Sequence, residues 1–322
     1  MKDLTGKIAV VTGGGTGMGR ELVIQLAAAG AHVATCDVIA DNMAETTRRA
    51  REVAASSDTR ITSHVCDVSD AVAMDLFRDE VRDQHDTTFV NLVFNNAGIG
   101  GGGSFVNGSR TEWERTFGVC WGGVYNGCRA FVPMLVASEE GYLVNTSSVN
   151  GFWASLGPGV PHTAYSAAKF AVKGFTEALM EDFRVNAPHV NAAVVMPGHI
   201  GTDIAINTRL LQGGSPADEM TAEELDAMRA VVAQRGVLPA DQLTDDVLRG
   251  IVKMMGEGFR DNAPLTAAQA ATIILDGVRA GAWRILVGDD AHALDEAVRA
   301  DPLGAYGPDG ISLATVMGAL RQ

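Results

Sequence analysis

Two side chains that can carry acid and base chemistry stand four residues apart, in Tyr165-Ser-Ala-Ala-Lys169. Residues at this spacing share one face of a helix, so the phenol and the ammonium would lie side by side. A free tyrosine with a pKa of about 10 is a poor base at neutral pH, and a neighbouring cation favours the phenolate. The pair therefore predicts a tyrosine whose pKa is lowered by lysine and which exchanges a proton with a substrate. Taken alone, such a pair is more often a solvated helix face.

A glycine-rich turn, Thr12-Gly-Gly-Gly-Thr-Gly-Met-Gly19, follows the first predicted strand and leads into a helical segment over 20–29. Glycines at 13, 17 and 19 allow positive φ and a close approach of phosphate to the backbone, while the helix start offers free N–H groups. Because the turn stands between a strand and a helix, it predicts a site for the pyrophosphate of a dinucleotide, not an ordinary tight turn.

A carboxylate, Asp37, ends the second predicted strand, 18 residues beyond Gly19. A carboxylate at this point can accept both hydroxyls of an adenosine ribose, and it repels a 2′-phosphate. Thr16 is neutral and no arginine or lysine is adjacent to Asp37 in the sequence, which predicts NAD in preference to NADP. The alternative is that Asp37 only caps the following turn. Asp67 follows the third predicted strand at the same sheet edge, where a contact with adenine is expected.

The elements that must position these residues are short β-branched runs alternating with helix-period segments, from Lys7 to about Val195. This alternation is typical of repeated βαβ units around a parallel sheet. With right-handed crossovers it predicts a single α/β domain with a Rossmann-like, doubly wound parallel sheet. The strands are expected at 8–11, 32–36, 61–65, 92–94, 142–145, 191–196 and 283–287.

Residues 203–264 break the alternation and are predicted to form a helical insertion inside the domain. Thr221-Ala-Glu-Glu224 is typical of a capping-box helix start. A further amphipathic helix is predicted from Thr266 to Ala280. The C-terminal extension, 289–322, is expected to hold one short helix around 291–299.

The composition argues against several classes of partner. A net charge of −14 without a basic run would repel nucleic acid and anionic membranes, which leaves a small-molecule substrate. The four cysteines form no Cys-x-x-Cys pair and no Cys/His cluster has zinc spacing, so reduced thiols, no metal and a cytoplasmic location are expected. No secretory h-region and no apolar stretch of about 18 residues is present, so neither export nor membrane insertion is expected.

Six motifs in order resemble the short-chain dehydrogenase/reductase family, over roughly Leu4 to Asp203 and again at the last helix and strand. They are the glycine turn, the two aspartates 37 and 67, Asn95-Asn-Ala-Gly98, Ser148 in Asn145-Thr-Ser-Ser-Val149, the Tyr165/Lys169 pair and Pro197-Gly-His-Ile-Gly-Thr202. The resemblance implies an NAD-dependent oxidoreductase that moves a hydride between the nicotinamide and a secondary alcohol or ketone. It also implies self-association, as a homodimer or homotetramer.

The same resemblance assigns roles to residues. Ser148 would orient the substrate oxygen, Tyr165 would exchange its proton, and Lys169 would lower the tyrosine pKa and bind the nicotinamide ribose. The implied cofactor-binding residues are Gly13, Thr16, Gly17, Met18, Gly19, Asp37, Asp67, Val68, Asn95, Ala97, Gly98, Tyr165, Lys169, Pro197, Gly198, Ile200 and Thr202.

One position departs from the family's pattern. The stretch Val119-Cys-Trp-Gly-Gly123 stands where the family has Val-Asn-Leu-x-Gly, so Cys120 replaces an asparagine that supports a water-linked proton relay to the lysine. A thiol is a weak donor and a weak acceptor. Three outcomes stay open: backbone carbonyls and water carry the relay, the enzyme is slower, or the protein binds NAD as a sensor or scaffold without turnover.

Two segments are expected to shape the substrate site. The insertion supplies apolar, flexible side chains that suit a bulky apolar secondary alcohol or ketone, or else form the insertion's own core: Ile204, Leu210, Leu211, Met220, Met228, Met254, Met255 and Phe259. The loop between Ser148 and Tyr165 is expected to form part of the pocket wall, or else to pack, through Phe152, Trp153, Pro158, Pro161 and His162. His162 and His199 have no defined partner in the sequence and are left without a role.

Overall fold

A parallel seven-stranded sheet runs through the chain, which a computed structural model describes over residues 1–234, 242–312 and 316. The strands in chain order are β1 (Ile8–Thr12), β2 (His32–Asp37), β3 (Ile61–Val65), β4 (Leu92–Asn95), β5 (Gly141–Thr146), β6 (Val190–Pro197), β7 (Ile200–Gly201), β8 (Leu265–Thr266) and β9 (Arg284–Val287). The sheet order is β3-β2-β1-β4-β5-β6-β9, while β7 and β8 form a separate pair. Strand order reverses between β1 and β4, which opens a crevice at their carboxyl ends.

Helices cover both faces of the sheet. They are α1 (Gly17–Ala28), α2 (Ala40–Val53), α3 (Ala71–His85), α4 (Arg110–Phe117), α5 (Gly123–Val136), α6 (Thr163–Asn186), α7 (Ile204–Leu211), α8 (Ala222–Gln234), α9 (Asp245–Asp261), α10 (Ala267–Ala280) and α11 (Asp289–Ala300). One buried apolar cluster joins the sheet to α3, α5 and α6, and a second joins it to α1 and α10. The predicted Rossmann-like single domain is therefore confirmed.

The local signals read from the sequence appear in the structure. Glu224 N donates to Thr221 Oγ1 at 3.3 Å and Thr221 N donates to Glu224 Oε2 at 2.8 Å, which is the expected capping box of α8. A second capping box, between Thr266 and Gln269, starts α10, and Gly281 ends that helix with a φ of +72°. The strands of the large sheet lie within one residue of their predicted ends.

The insertion over 203–264 carries α7, α8 and α9 in its described part. Residues 235–241 of the insertion lie outside the described residues, as do 313–315 and 317–322 of the C-terminal extension. The pair β7–β8, which was not predicted, joins the segment after β6 to the start of α10. Strands of two residues are too short to leave a periodic pattern. Across the described residues, no helix is long and apolar enough to cross a membrane.

Candidate active site

An open cleft of about 910 Å³ lies at the carboxyl ends of the central strands. Ten of the predicted cofactor-binding residues do line it: Gly13, Thr16, Gly17, Met18, Asp37, Asp67, Val68, Ala97, Gly98 and Thr202. The cleft is also lined by Asn96 and Arg115, which the sequence did not single out. The topology of the sheet thus brings together side chains that are far apart in the sequence.

The glycine turn folds so tightly that side chains have no room in it. A Cβ at Gly19 would lie 2.0 Å from Gly13 O, and one at Gly13 would lie 2.7 Å from Ala97 Cα. Gly13 and Gly17 both adopt positive φ, +67° and +55°. Because α1 begins at Gly17, its first N–H groups have no acceptor inside the helix. A cradle of bare backbone next to a helix start fits the pyrophosphate of a dinucleotide.

Asp37 is held at the mouth of the cleft by two backbone groups. Its Oδ2 accepts from Gly15 N at 3.0 Å and its Oδ1 accepts from Ile39 N at 3.1 Å. The bond from Ile39 N is the cap of the following turn that the sequence offered as the alternative role of Asp37. Asp37 therefore caps this turn and also lines the cleft. Arg20 lies near Asp37 in the folded chain, which the sequence did not suggest. Its guanidinium already donates to Gly15 O and Thr46 Oγ1.

Asp67 is engaged by a cation that the sequence did not reveal. Its Oδ1 accepts from Ser69 N and Ser69 Oγ, and its Oδ2 pairs with Arg115 Nη1 at 2.7 Å. Burial raises the pKa of Asp67, but the bonds from Ser69 and Arg115 outweigh burial and lower that pKa overall. Arg115 lies on α4, far from Asp67 in the sequence, so no spacing rule identified it as the partner of that carboxylate.

Seven predicted cofactor contacts are not among the residues that line the cleft: Gly19, Asn95, Tyr165, Lys169, Pro197, Gly198 and Ile200. Asn95 is 1 % exposed and donates from Nδ2 to Asn145 Oδ1 at 2.9 Å, so it ties β4 to β5, and Asn96 takes the place beside the cleft. The Ile200 side chain packs in the core that contains α1 and α10. Pro197 ends the buried strand β6, and Gly198 lies against Asp290.

Ser148, Tyr165 and Lys169 come together beside Gly98, at one end of the cleft. Lys169 is 2 % exposed, and its Nζ lies 5.4 Å from the centroid of the Tyr165 ring and 3.6 Å from where a Cβ on Gly98 would stand. Ser148 is buried, and its hydroxyl is close enough to Tyr165 to lower the tyrosine pKa. The amine thus stands within the protein and not in bulk water, while Tyr165 is half-buried against the core.

The ionisation of this group differs from the prediction. Burial raises the pKa of Tyr165 well above its ordinary range, Cys120 adds to that rise, and the bond from Ser148 offsets part of it. Burial also lowers the pKa of Lys169. The Tyr165 pKa is therefore raised overall by burial and not lowered as the pairing with Lys169 predicted, although Nζ lies over the ring and donates to Thr146 O at 2.9 Å.

Cys120 stands in a π-helical turn, Gly118–Gly122, that joins α4 to α5. It is fully buried, and its Sγ donates to Ile99 O at 3.1 Å. A Cβ on Gly98 would lie 3.8 Å from this sulfur, which places Cys120 close to the lysine. Among the hydrogen bonds of the described residues, none joins Cys120 to Lys169. Such π-turns are frequent at functional sites.

The family model for short chain dehydrogenases matches residues 7–212. The chain belongs to the short-chain dehydrogenase family. It is 33 % identical over 299 residues to SadH of Mycobacterium tuberculosis (strain ATCC 25618 / H37Rv), covering 93 % of this chain and 92 % of that protein. It is 32 % identical over 203 residues to human epidermal retinol dehydrogenase 2, covering 62 % of each. The protein is thus an oxidoreductase of this family.

A solved structure of the family matches almost the whole chain. The short-chain dehydrogenase/reductase from Burkholderia phymatum, crystallised in complex with NAD, superposes with a TM-score of 0.74 at 26 % identity. The match covers 97 % of this chain and 100 % of that one. A metagenomic short-chain oxidoreductase in complex with NADP matches less closely, with a TM-score of 0.53 at 28 % identity over 60 % of this chain and 83 % of the other.

The apolar residues of the insertion in this short-chain dehydrogenase divide into separate groups. Ile204 and Leu211 line the cofactor cleft, whereas Leu210, Met228 and Met255 line another cavity on the opposite side of α7. The remaining members are Met220, buried in the insertion's own core, Met254, which is exposed, and Phe259, whose ring contacts that of His199 at a tilt. Met220 therefore matches the alternative of an insertion core, whereas the interpretation of the stripe as a substrate-binding surface stays a prediction.

Helix α7 closes one side of the cleft through polar contacts. Asn207 Nδ2 donates to Thr16 Oγ1 at 3.1 Å, which links the insertion to the glycine turn. Gly100 N donates to Thr208 Oγ1 at 2.7 Å, which links it to the loop after β4. A ligand in the cleft would therefore lie beneath α7.

The loop between Ser148 and Tyr165 both packs and borders the reacting group. Trp153 is fully buried and its Nε1 donates to Ala305 O at 3.2 Å, so this tryptophan packs against the C-terminal extension. His162 lies with its ring centroid 4.8 Å from that of Tyr165, and burial lowers its pKa to about 4. His162 is consequently neutral beside the tyrosine above that pH.

Proposed function

We propose that this protein transfers a hydride between NAD and a secondary alcohol or ketone with a bulky apolar body. Ser148, Tyr165 and Lys169 are the catalytic residues of the proposal. The observation that carries it is the placement of the Lys169 amine beside Gly98, which lines the cleft, with the Tyr165 ring under that amine and Ser148 next to Tyr165. Bound in this cleft, the dinucleotide supplies the hydride acceptor or donor.

NAD is proposed in preference to NADP because Asp37 stands at the mouth of the cleft, where its charge would repel a 2′-phosphate. The Burkholderia phymatum protein, which was crystallised with NAD, supports this choice. Arg20 does not supply a free phosphate-binding group, since its guanidinium is bonded to Gly15 O and Thr46 Oγ1. Self-association as a homodimer or homotetramer belongs to the same proposal on the strength of the family alone, and a cytoplasmic location belongs to it because the four cysteines are free.

In the oxidation direction, the Ser148 hydroxyl orients the substrate oxygen and the Tyr165 phenolate removes its proton. Lys169, held by Thr146 O, places a positive charge over the phenolate ring and so opposes the cost of burying that negative charge. In the reduction direction, the Tyr165 hydroxyl donates its proton to the carbonyl oxygen. Residues 203–264 act as the lid, with Ile204 and Leu211 facing the cleft.

The direct test is turnover with a panel of apolar secondary alcohols, using NAD and NADP in parallel and following the absorbance of the reduced dinucleotide. We expect turnover on part of the panel with NAD and a much weaker response with NADP. A protein that binds neither dinucleotide would refute the proposal.

A second function is favoured by one observation. Cys120 is bonded to Ile99 O and not to Lys169, so a relay through position 120 is missing and the protein could bind NAD as a sensor or scaffold. This reading predicts tight NAD binding without turnover on any member of the panel. Turnover that responds to changes at Tyr165 would decide against it.

Replacement of Cys120 by serine is expected to keep turnover within about an order of magnitude, or about 1.4 kcal/mol of transition-state free energy. The serine hydroxyl fits the space of the thiol and can donate to Ile99 O in its place. The measurement is kcat with the best alcohol of the panel. A loss of several orders of magnitude would instead show that the thiol itself takes part in the reaction.

The raised pKa of Tyr165 predicts how the ionisation of the protein without dinucleotide depends on pH. Because burial favours the neutral phenol, Tyr165 should remain protonated below about pH 10, the ordinary value for tyrosine. A phenolate difference spectrum between the protein and Tyr165→Phe should show no signal below that pH. Oxidation needs the phenolate and reduction needs the phenol, so oxidation should accelerate as pH rises while reduction slows. A Tyr165 signal at neutral pH would contradict this prediction.

A further inference from the structure

Asp290 is a buried carboxylate that the proposed chemistry does not use. It lies in the first turn of α11, directly after β9, and only 1 % of it is exposed. Its Oδ2 accepts a hydrogen bond from His199 N at 2.6 Å. Its Oδ1 is buried and has no hydrogen-bond partner among the described residues. A charged acceptor is thus buried against the segment 197–202.

Two glycines leave room for this carboxylate and for nothing larger. A Cβ on Gly198 would lie 2.2 Å from Asp290 Oδ2, and a Cβ on Gly288 would lie 2.4 Å from Oδ1. Gly288 also has a φ of +108°, which L side chains rarely adopt. The start of α11 favours a negative charge through its helix dipole. The backbone therefore fits the carboxylate closely on both sides.

The opposite side of the segment 197–202 is held by the insertion. His199 Nε2 hydrogen-bonds Phe259 O at 2.6 Å, and the two rings are in contact at a tilt of 45°, with their centroids 4.3 Å apart. The strand pair β7–β8 adds a link at Gly201. Asp203, just beyond the segment, pairs with Arg260 at 3.1 Å. The segment is fixed by α11 from one side and by the end of α9 from the other.

This segment delivers Thr202 to the cofactor cleft. Thr202 lines the cleft, and its Cγ2 would be 3.1 Å from a Cβ on Gly17. The Ile200 side chain is packed in the core, so the segment has little freedom to place Thr202 elsewhere. A shift of the backbone at His199 would move Thr202 relative to the glycine turn.

We propose that Asp290 is a positioning residue: by holding His199 N, it fixes the segment 197–202, which the family resemblance assigns to the nicotinamide end of the cleft, and thereby sets the affinity for the nicotinamide half of the dinucleotide. His199 is the second positioning residue, which ties the same segment to α9. The inference rests on the proposed function, since it requires a dinucleotide in the cleft. A hydrogen bond to a charged acceptor is stronger than one between neutral groups, which suits this task.

The test compares ligands that share the ADP-ribose part. Dissociation constants for NAD, NADH and ADP-ribose are measured by calorimetry on the full chain. Asp290→Ala should weaken NAD and NADH binding about 10- to 100-fold, the range for losing a hydrogen bond to a charged group, and leave ADP-ribose binding unchanged. Asp290→Asn should restore most of the affinity, because its amide oxygen still accepts from His199 N.

Asp295→Ala is the matched control. Asp295 is another buried carboxylate on α11, but it pairs with Arg284 and Arg299 and has no hydrogen bond to the segment 197–202 among the described residues. It should lower the melting temperature without changing the ratio of the NAD and ADP-ribose dissociation constants. Should Asp290→Ala not fold, His199→Phe gives the same comparison, since it keeps an aromatic ring against Phe259 and removes the bond to Phe259 O.

Two results would overturn the proposal. One is an equal loss of NAD and ADP-ribose affinity in Asp290→Ala, or in His199→Phe where that variant stands in, because a general loss of structure affects both ligands. The other is unchanged NAD binding. Failure of the wild-type chain to bind any of the three ligands would be a different result, since it refutes the proposed function itself.

Discussion

Replacing Tyr165 by phenylalanine is expected to lower turnover by about a thousandfold, while the dissociation constant for NAD changes only a few-fold. The change removes the one hydroxyl that would exchange a proton with the substrate. It keeps the ring, which lies under Lys169 Nζ and beside His162. The measurement combines initial rates on the best alcohol with calorimetric titration of NAD.

Tyr142→Phe is the control for this experiment. Tyr142 is buried in the core that contains α1 and α10, and its hydroxyl donates to Ala282 O at 3.0 Å, whereas Tyr165 packs against the other core. Losing that bond should cost about 1 kcal/mol of unfolding free energy and leave turnover unchanged. If Tyr165→Phe behaved like Tyr142→Phe, with normal turnover, the acid/base role of Tyr165 would be wrong.

The fold was largely predictable because its signals are local. Buried parallel strands appear as short apolar runs, and the helices between them carry caps and glycine stops that can be recognised within a few residues. The capping box at Thr221 and Glu224 and the stop at Gly281 formed as expected. The pair β7–β8 could not be predicted, since its pairing depends on where the insertion brings Leu265.

A residue of the candidate site was predictable only where a sequence motif identifies it and the sheet topology then places it at the cleft. Asn95 and Asn96 have the same side chain in adjacent positions, and the sheet decides which one reaches the cleft and which one ties β4 to β5. His199 and Asp290 are in contact although 91 residues separate them in the sequence. No spacing rule connects such residues, so their partnership became visible only in the folded chain.

The pKa shifts of Tyr165 and Lys169 could not be predicted from the sequence for a related reason. The spacing of Tyr165 and Lys169 places them on one helix face, as predicted, but it does not say how deeply they are buried. Burial favours the neutral form of each group, so it raises the pKa of Tyr165 and lowers the pKa of Lys169. The charge at this site is therefore expected to depend on what fills the cleft.

Gly19→Ala is expected to weaken NAD binding roughly 5- to 150-fold, which corresponds to about 1–3 kcal/mol of overpacking strain. The new Cβ would lie 2.0 Å from Gly13 O and 2.6 Å from Asn96 Nδ2, so either the glycine turn or the end of β4 must move. Both border the cleft that holds the pyrophosphate in the proposed function. Calorimetry with NAD and thermal unfolding measure the two consequences.

Gly174→Ala provides the contrast within the same chain. Gly174 lies in the exposed middle of α6, and a Cβ there would meet nothing within 4 Å. Alanine should stabilise this helix by about 0.5–1 kcal/mol and leave NAD affinity unchanged. Glycine would then be required at 19 because the folded backbone leaves no space for a side chain, and merely tolerated at 174. Equal NAD affinity in both variants would show that the glycine turn does not hold the dinucleotide.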